Sequence, residues 1–264
     1  MREARAFRPY LFFAVGLFAA ALLAAFLIPA PMHVQAQTTS VGSLDLGAGR
    51  APDALPADGF YFVNDDFKFT IAHKYGVTLM RFAGDDEVFA LSVERASVGG
   101  RVLKYDTGDV ALQVTGYGAV TLYTSTAPGG LPADRVGNGE AITFPVPTMS
   151  ALRAIAQQLA NKLEQVNDLA LRFDADWSHL DDDAARYLAL DTMRITARAI
   201  AGICANHANQ AQLAAKLRAV RIMRGDRPGV VMRNGVLTVT FAPVYGLRGR
   251  FSSLATARAI RTQL

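Results

Sequence analysis

Asp106-Thr107-Gly108 is the tripeptide that aspartic proteases place at their active site. In those enzymes the aspartate polarises a water held jointly with a second aspartate, and the two carboxyls share one proton because neighbouring carboxylates resist ionising together. A single copy would need a homodimer to supply the partner. Lys104-Tyr105 precede the tripeptide where an apolar strand is expected, and another acid, Asp109, follows it. Asp and Gly are also standard turn residues, so a turn joining strands near 101–105 and 109–115 accounts for the same residues. Asp106 is the one candidate catalytic residue, and a hairpin turn is its competing role.

A second concentration of chemistry is Asp174, Asp176, His179, Asp181, Asp182 and Asp183. Several carboxylates suit a hard cation, but a calcium loop starting at Asp174 requires Gly at position 179 and Glu at 185, where the chain has His179 and Ala185. Aspartates in the first turn of a helix, compensating its dipole, are the simpler reading. Beyond the N-terminal region the histidines are His73, His179 and His207, none spaced from another as zinc ligands on one helix would be. There is no nucleophile-elbow, phosphate-loop or dinucleotide fingerprint. No metal and no cofactor are expected. Cys204 is the single cysteine, so no intramolecular disulfide can form, and its apolar neighbours suit a small buried side chain.

The last lead is a basic C-terminal third. From Lys216 onward there are ten basic residues against one acid, Asp226. Phe251, Leu254, Ala257 and Ile260 recur three apart with Arg258 and Arg261 beside them, so a short basic amphipathic helix could lie on anionic lipid or glycan. Arg248, Arg250, Arg258 and Arg261 are its candidate binding residues. A solvated charged face is the plainer alternative.

These residues must be positioned by elements that the apolar pattern discloses. Between positions 60 and 144 short runs of period two are broken by Gly, Asp and Asn, which marks strands with one buried face. Strands are predicted near 60–63, 67–72, 77–82, 87–94, 101–105, 109–115, 118–124 and 140–144. Connections this short favour an antiparallel meander, because parallel crossovers need a dozen or more residues. After Pro145-Val146-Pro147 the period lengthens: Met149, Leu152, Ile155, Leu159, Leu163, Val166, Leu169 and Phe173 follow one another at three or four residues, the spacing of an amphipathic helix. That seam is also close to a heptad and would suit helix pairing within the fold or between subunits. A second helix is expected from Ser178 to about Asn206 and a short third one through Leu213, Leu217 and Val220. Asn234-Gly235 between two β-rich runs predicts a hairpin.

The fold class expected is therefore α+β: an antiparallel β-meander, forming a sandwich or partly closed barrel, then two or three helices and a C-terminal β-hairpin. The corresponding regions are 59–146, 147–225 and 226–264, joined as one globular unit. With 264 residues, 51% hydrophobic and 19% charged, the chain can bury a substantial core.

Part of the apolar excess lies in a separate place. No Asp, Glu, Lys or Arg occurs between Arg8 and Asp45, and three arginines precede an apolar run from Tyr10 to Ile28. This is the layout of an export signal, with Val34-Gln35-Ala36 offering the small residues a signal peptidase reads. Residues 1–36 are expected to be a signal peptide, with an uncleaved anchor as the alternative, since such a run can span the ~30 Å of a bilayer. Residues 37–58, rich in Gly, Ala, Pro, Ser and Thr, read as a flexible linker. Either way the remainder is expected outside the cytoplasm, in the periplasm or on the envelope. Cleavage removes three of 27 basic and one of 23 acidic residues, leaving a net charge of +2, so the alkaline character is no argument for nucleic acid.

Arg81-Phe82-Ala83-Gly84, Glu87-Val88-Phe89-Ala90-Leu91, Gly99-Gly100-Arg101-Val102-Leu103-Lys104-Tyr105-Asp106-Thr107-Gly108, Thr121-Leu122-Tyr123-Thr124 and Pro128-Gly129-Gly130-Leu131-Pro132 resemble a family of exported proteobacterial proteins of unknown function. The resemblance covers about a fifth of the chain, between positions 81 and 132. It implies a periplasmic domain, and it supplies no activity and no catalytic residue. The function expected is a non-catalytic envelope binding or interaction module, whose partner would be an envelope protein or a membrane surface. The alternatives are a dimeric aspartic-type hydrolase using Asp106 and an anionic-surface binder using the C-terminal arginines.

Overall fold

The computed structural model describes residues 55–264. The expected signal segment and most of the expected linker lie outside the described residues. Among those described, no helix is long and apolar enough to cross a membrane.

Eight strands come first: β1 (Gly59–Phe62), β2 (Lys68–Lys74), β3 (Val77–Phe82), β4 (Phe89–Arg95), β5 (Arg101–Lys104), β6 (Val110–Val114), β7 (Val120–Thr124) and β8 (Ala127–Gly137). Each pairs antiparallel with the next, and β1 also pairs with β8, so the meander closes into a complete barrel with no free edge. Its interior holds Phe69, Ile71, Leu91, Leu103, Leu112 and Leu122, all fully buried. Eight strands enclose a space that side chains can fill. A row of rings crosses this interior: Tyr61 stacks on Phe69 at 5.2 Å, and Phe69, Phe82, Phe89 and Tyr105 continue edge to face at 5.1–6.3 Å.

The eighth strand is 127–137 and not 140–144 as expected. Residues 138–148 form no ladder; they run across the outside of the barrel, where Ile142 is buried with Leu79 and Val88. Lys74 Nζ donates to the Ile142 carbonyl at 2.5 Å and Arg81 pairs with Glu140 at 2.9 Å. Alternating burial needs only an extended chain with one covered face, which is why this segment reads like a strand.

The second half is a sheet with helices against it. It comprises α1 (Met149–Asn167), β9 (Arg172–Ala175), α2 (Asp183–Cys204), α3 (His207–Lys216), β10 (Ala219–Arg224), β11 (Gly229–Arg233), β12 (Val236–Phe241) and α4 (Ser253–Arg261). The strand order is β11-β12-β10-β9, with β9, β10 and β12 parallel and β11 antiparallel to β12. The β11–β12 turn is Asn234-Gly235, both at positive φ (49° and 77°), as a two-residue hairpin requires. Val220, Ile222, Leu237, Val239 and Phe241 face the helices, and α2 is the most enclosed of these. All described residues belong to one compact unit.

Three helix boundaries differ from expectation. The first helix stops at Asn167, where Asp168 takes the left-handed conformation (φ 51°). Leu169, Leu171, Phe173 and Ala175 are then buried at every second position, the last two in β9. A spacing of four, as from Leu169 to Phe173, satisfies both the strand and the helix period, so the run reads as one helix. Val220 likewise belongs to β10. The second helix begins at Asp183, capped by Asp182, and Ser178 lies in a preceding single turn.

Candidate functional site

In an up-and-down barrel alternate hairpins end at the same rim. The connections at 63–67, 83–88, 105–109 and 125–126 therefore share one end, and the start of α4 is fastened to two of them. Asp106-Thr107-Gly108 is a tight turn, with Gly108 at φ 85° donating its N–H to the Tyr105 carbonyl at 2.9 Å. Ser252, the N-cap of α4, accepts from the Ala255 N–H at 3.1 Å. It also donates its backbone N–H to Asp106 Oδ2 and its hydroxyl to Asp106 Oδ1, both at 2.6 Å. The next residue, Ser253, donates its N–H to Glu87 Oε1 at 2.7 Å. Two carboxylates from different turns thus meet the free N–H groups and positive dipole end of one helix. Further along α4, Arg258 reaches back to the Thr107 carbonyl at 2.8 Å and Asp109 at 2.6 Å.

Beneath these contacts lies a buried charge network. Arg250 is only 4% exposed; its Nε donates to Asp191 Oδ2 at 2.5 Å and its Nη2 to the Val88 carbonyl at 2.6 Å. Burial opposes the guanidinium charge, and Asp191, Tyr187 and Glu87 together outweigh it. Removing one partner of such a pair costs roughly 3–5 kcal/mol, because the other charge stays buried alone. Gly249 permits the approach: a Cβ there would stand 2.0 Å from the Ala242 carbonyl oxygen.

Glu87 is 3% exposed, and burial pushes its carboxyl above the usual range against the opposing pull of Ser253, Arg250 and Arg198. Its Oε1 is satisfied by Ser253, whereas Oε2 has no hydrogen-bond partner. The nearest cation is Arg198, whose Nε stands 3.6 Å from Oε2 while its Nη1 is bound to Asp85. Burial also pushes the Tyr105 hydroxyl upward, and the Glu87 charge adds to this.

Part of the same rim remains open. A cleft of about 990 Å³ is floored by Phe67, Phe82, Phe89 and Tyr105 and edged by Asp85, Glu87, Asp109 and Arg198, with Ser253 and Leu254 of α4 at its side. It extends over Gln113 and Tyr123, which are hydrogen-bonded to each other at 2.8 Å. An apolar floor with a few convergent polar groups, at the mouth of a barrel, is a usual setting for small-molecule binding.

The other residues singled out by sequence are distributed as follows. Arg248 donates to the Leu91 carbonyl at 3.2 Å, Arg250 is buried and Arg258 is held by Asp109, so three of the four C-terminal arginines contact the barrel or α2; Arg261 is exposed. Asp174 accepts from the Trp177 indole at 3.1 Å, Asp176 holds His179 at 2.8 Å, Asp181 and Asp182 hold Arg224 at 3.3 and 2.8 Å, and Asp183 pairs with Arg186. His73 pairs with Asp58, and His207 lies 3.3 Å from Gln210. Among the described residues no three His, Cys, Asp or Glu side chains are grouped to hold a metal ion. Cys204 is buried, which pushes its thiol upward.

Sequence reasoning missed Glu87, Asp191 and Arg198. Asp191 was open to detection, as an acid within the apolar run Leu188 to Met193 of a helix. Glu87 ends the acidic turn Asp85-Asp86-Glu87 and has nothing in its local pattern to separate it from its exposed neighbours. No curated protein matches the chain, and no solved structure does. The resemblance to a family of unknown function extends well beyond positions 81–132: the model described as Domain of unknown function (DUF4908) matches residues 43–260, from ahead of the barrel into α4, and the chain belongs to this family.

Proposed function

We propose that the protein works outside the cytoplasm, in the periplasm or on the envelope, as a non-catalytic binding module that takes a small ligand in the cleft at the barrel rim. The observation that carries this reading is the cleft itself, about 990 Å³ in volume, with an aromatic floor and a polar edge. Its size lies in the range of small-molecule sites. The residues with the best claim to chemistry are engaged elsewhere: both Asp106 oxygens hold Ser252, and Arg250 and Arg258 tie the C-terminal segment to the rest. The arginines and apolar run of residues 1–28 support export.

Two measurements test the proposal. Alkaline phosphatase, which is active only after export, should be active when fused behind residue 58 and inactive when residues 1–36 are deleted. In spectra of the exported protein titrated with a small-fragment mixture, shifts should concentrate on Phe67, Phe82 and Phe89. Shifts concentrated around Arg261, or none at the rim, would overturn the cleft as the binding site.

A further inference from the structure

Asp85, Asp109 and Asp191 each hold an arginine within hydrogen-bond distance, and Asp106 holds Ser252. Glu87 differs: its side chain is 2% exposed, it lines the cleft, and Oε2 has no donor. A buried carboxylate oxygen without a donor is rare in a native structure and calls for a specific reason. Among the described residues the one cation paired with it within 4 Å, Arg198, is shared with Asp85 and stays 3.6 Å away, while Arg250 acts on Glu87 from farther off. Its side chain is 43% exposed, so it can swing into solvent without breaking a packed core.

The cleft also selects by charge and shape. Asp85 and Glu87 face it with one lining cation, Arg198, between them, while Asp109 is paired with Arg258, so an anion is disfavoured beside the first two. Phe67, Phe82, Phe89 and Tyr105 offer ring faces and edges, which favour an apolar body and attract a cation close to them.

We infer that the rim cleft binds an organic amine with an apolar or aromatic body, whose ammonium group displaces Arg198 and donates to Glu87 Oε2 and Asp85. Arg198 occupies the position of the ligand's charge in the free protein and keeps the two carboxylates compensated until the ligand arrives. The ammonium brings up to three N–H donors on one compact charge. It can therefore approach both carboxylates, where the guanidinium reaches only Asp85 at hydrogen-bond distance, through Nη1. This inference rests on the cleft being the binding site.

The experiment uses three probes of one shape on the exported protein: 2-phenylethylamine, 2-phenylethanol and phenylacetate, titrated by calorimetry and by NMR of the rim aromatics. The amine should bind tightest and phenylacetate weakest. Glu87→Gln should weaken the amine about tenfold or more, the scale of one charge-assisted hydrogen bond, and leave the alcohol within about twofold. Arg198→Gln should strengthen the amine, because the competing cation is gone. That change of sign is one a merely structural arginine would not produce, and it does not depend on Glu87→Gln folding. An amine that binds no tighter than the alcohol, or whose affinity falls in Arg198→Gln, overturns the inference. If the alcohol or phenylacetate shifts Phe67, Phe82 and Phe89 and the amine does not, the cleft stands as a binding site and only the amine chemistry falls. If none of the three shifts them, both fall.

Discussion

Asp106 and Ser252 are 146 residues apart in the chain, and both oxygens of the aspartate are bound by the serine, one by its backbone N–H and one by its hydroxyl, each at 2.6 Å. The turn that resembles a protease tripeptide thus extends the cap of α4. Asp106→Ala should destabilise the protein by about 1.5–3 kcal/mol, the usual contribution of hydrogen bonds to a charged group. Ser252→Ala should cost less, because its N–H remains. In a double-mutant cycle by urea denaturation the two changes should couple by more than about 0.5 kcal/mol. Strict additivity would mean that the contact carries no stability.

Arg250→Met should be among the most damaging single changes, costing about 3–5 kcal/mol by leaving Asp191 buried without its partner. Adding Asp191→Leu should recover much of that loss, since an apolar pair avoids the desolvation of both charges. Calorimetric melting of the single and double variants checks this; a double variant no more stable than Arg250→Met would show that the pair is not acting as a unit.

Gly249→Ala should destabilise by about 1–3 kcal/mol or prevent folding, because the added methyl meets the Ala242 carbonyl oxygen at 2.0 Å. The segment from 242 to 250 would have to move, and Arg250 with it. The measurement is the denaturation midpoint, with Gly246→Ala as a comparison, since that position has open space around it but needs a positive φ of 54°.

Stability should carry a signature of Glu87 in its pH dependence. Burial raises this carboxyl above its ordinary value of 4.5, with Ser253, Arg250 and Arg198 pulling the other way. The folded state therefore holds the proton more tightly than the unfolded chain. The resulting stabilisation is fully present below 4.5 and is lost as pH rises through the folded value. Glu87→Gln removes this dependence, so its stability relative to the parent should increase as pH is raised through that window. A constant difference from pH 4 to 8 would contradict the assignment.

Asp182 should act in the opposite direction. Its carboxyl is held below the ordinary 3.8 first by the Ala185 N–H at the start of α2 and further by Arg224. The contribution of its charge is present above 3.8 and disappears as pH falls through the folded value. Asp182→Ala should cost about 1 kcal/mol at neutral pH, as loss of an N-cap does, and measurably less once the parent carboxyl is protonated, when its oxygen still caps the helix but its charge is gone. Equilibrium unfolding at neutral and strongly acidic pH checks both ends.

The strands from β1 to β7, the β11–β12 hairpin and the mixed α+β character follow from local pattern alone. Phe69 and Ile71, or Leu112 and Val114, alternate with polar neighbours because each strand has one face inside the barrel. Asn234-Gly235 fixes its turn because the two positive φ angles it requires are intrinsic to those residue types. Local pattern failed where one spacing served two periods. Leu169 to Phe173 continued a helix on paper and entered β9 in the fold, and Ile142 alternated like a strand while covering the barrel from outside.

Closure of the barrel and assembly of the rim were decided by tertiary structure. The β1–β8 pairing joins residues that differ by about seventy positions, and nothing local in either strand states it. Asp106, Glu87, Asp191, Arg198, Arg250 and Ser252 likewise lie on separate turns and helices, each an ordinary polar residue in its own segment. What distinguishes Glu87 is a buried carboxylate oxygen that has no donor. Burial and partnership are properties of the surroundings that a side chain acquires on folding, and residue type and spacing along the chain do not encode them.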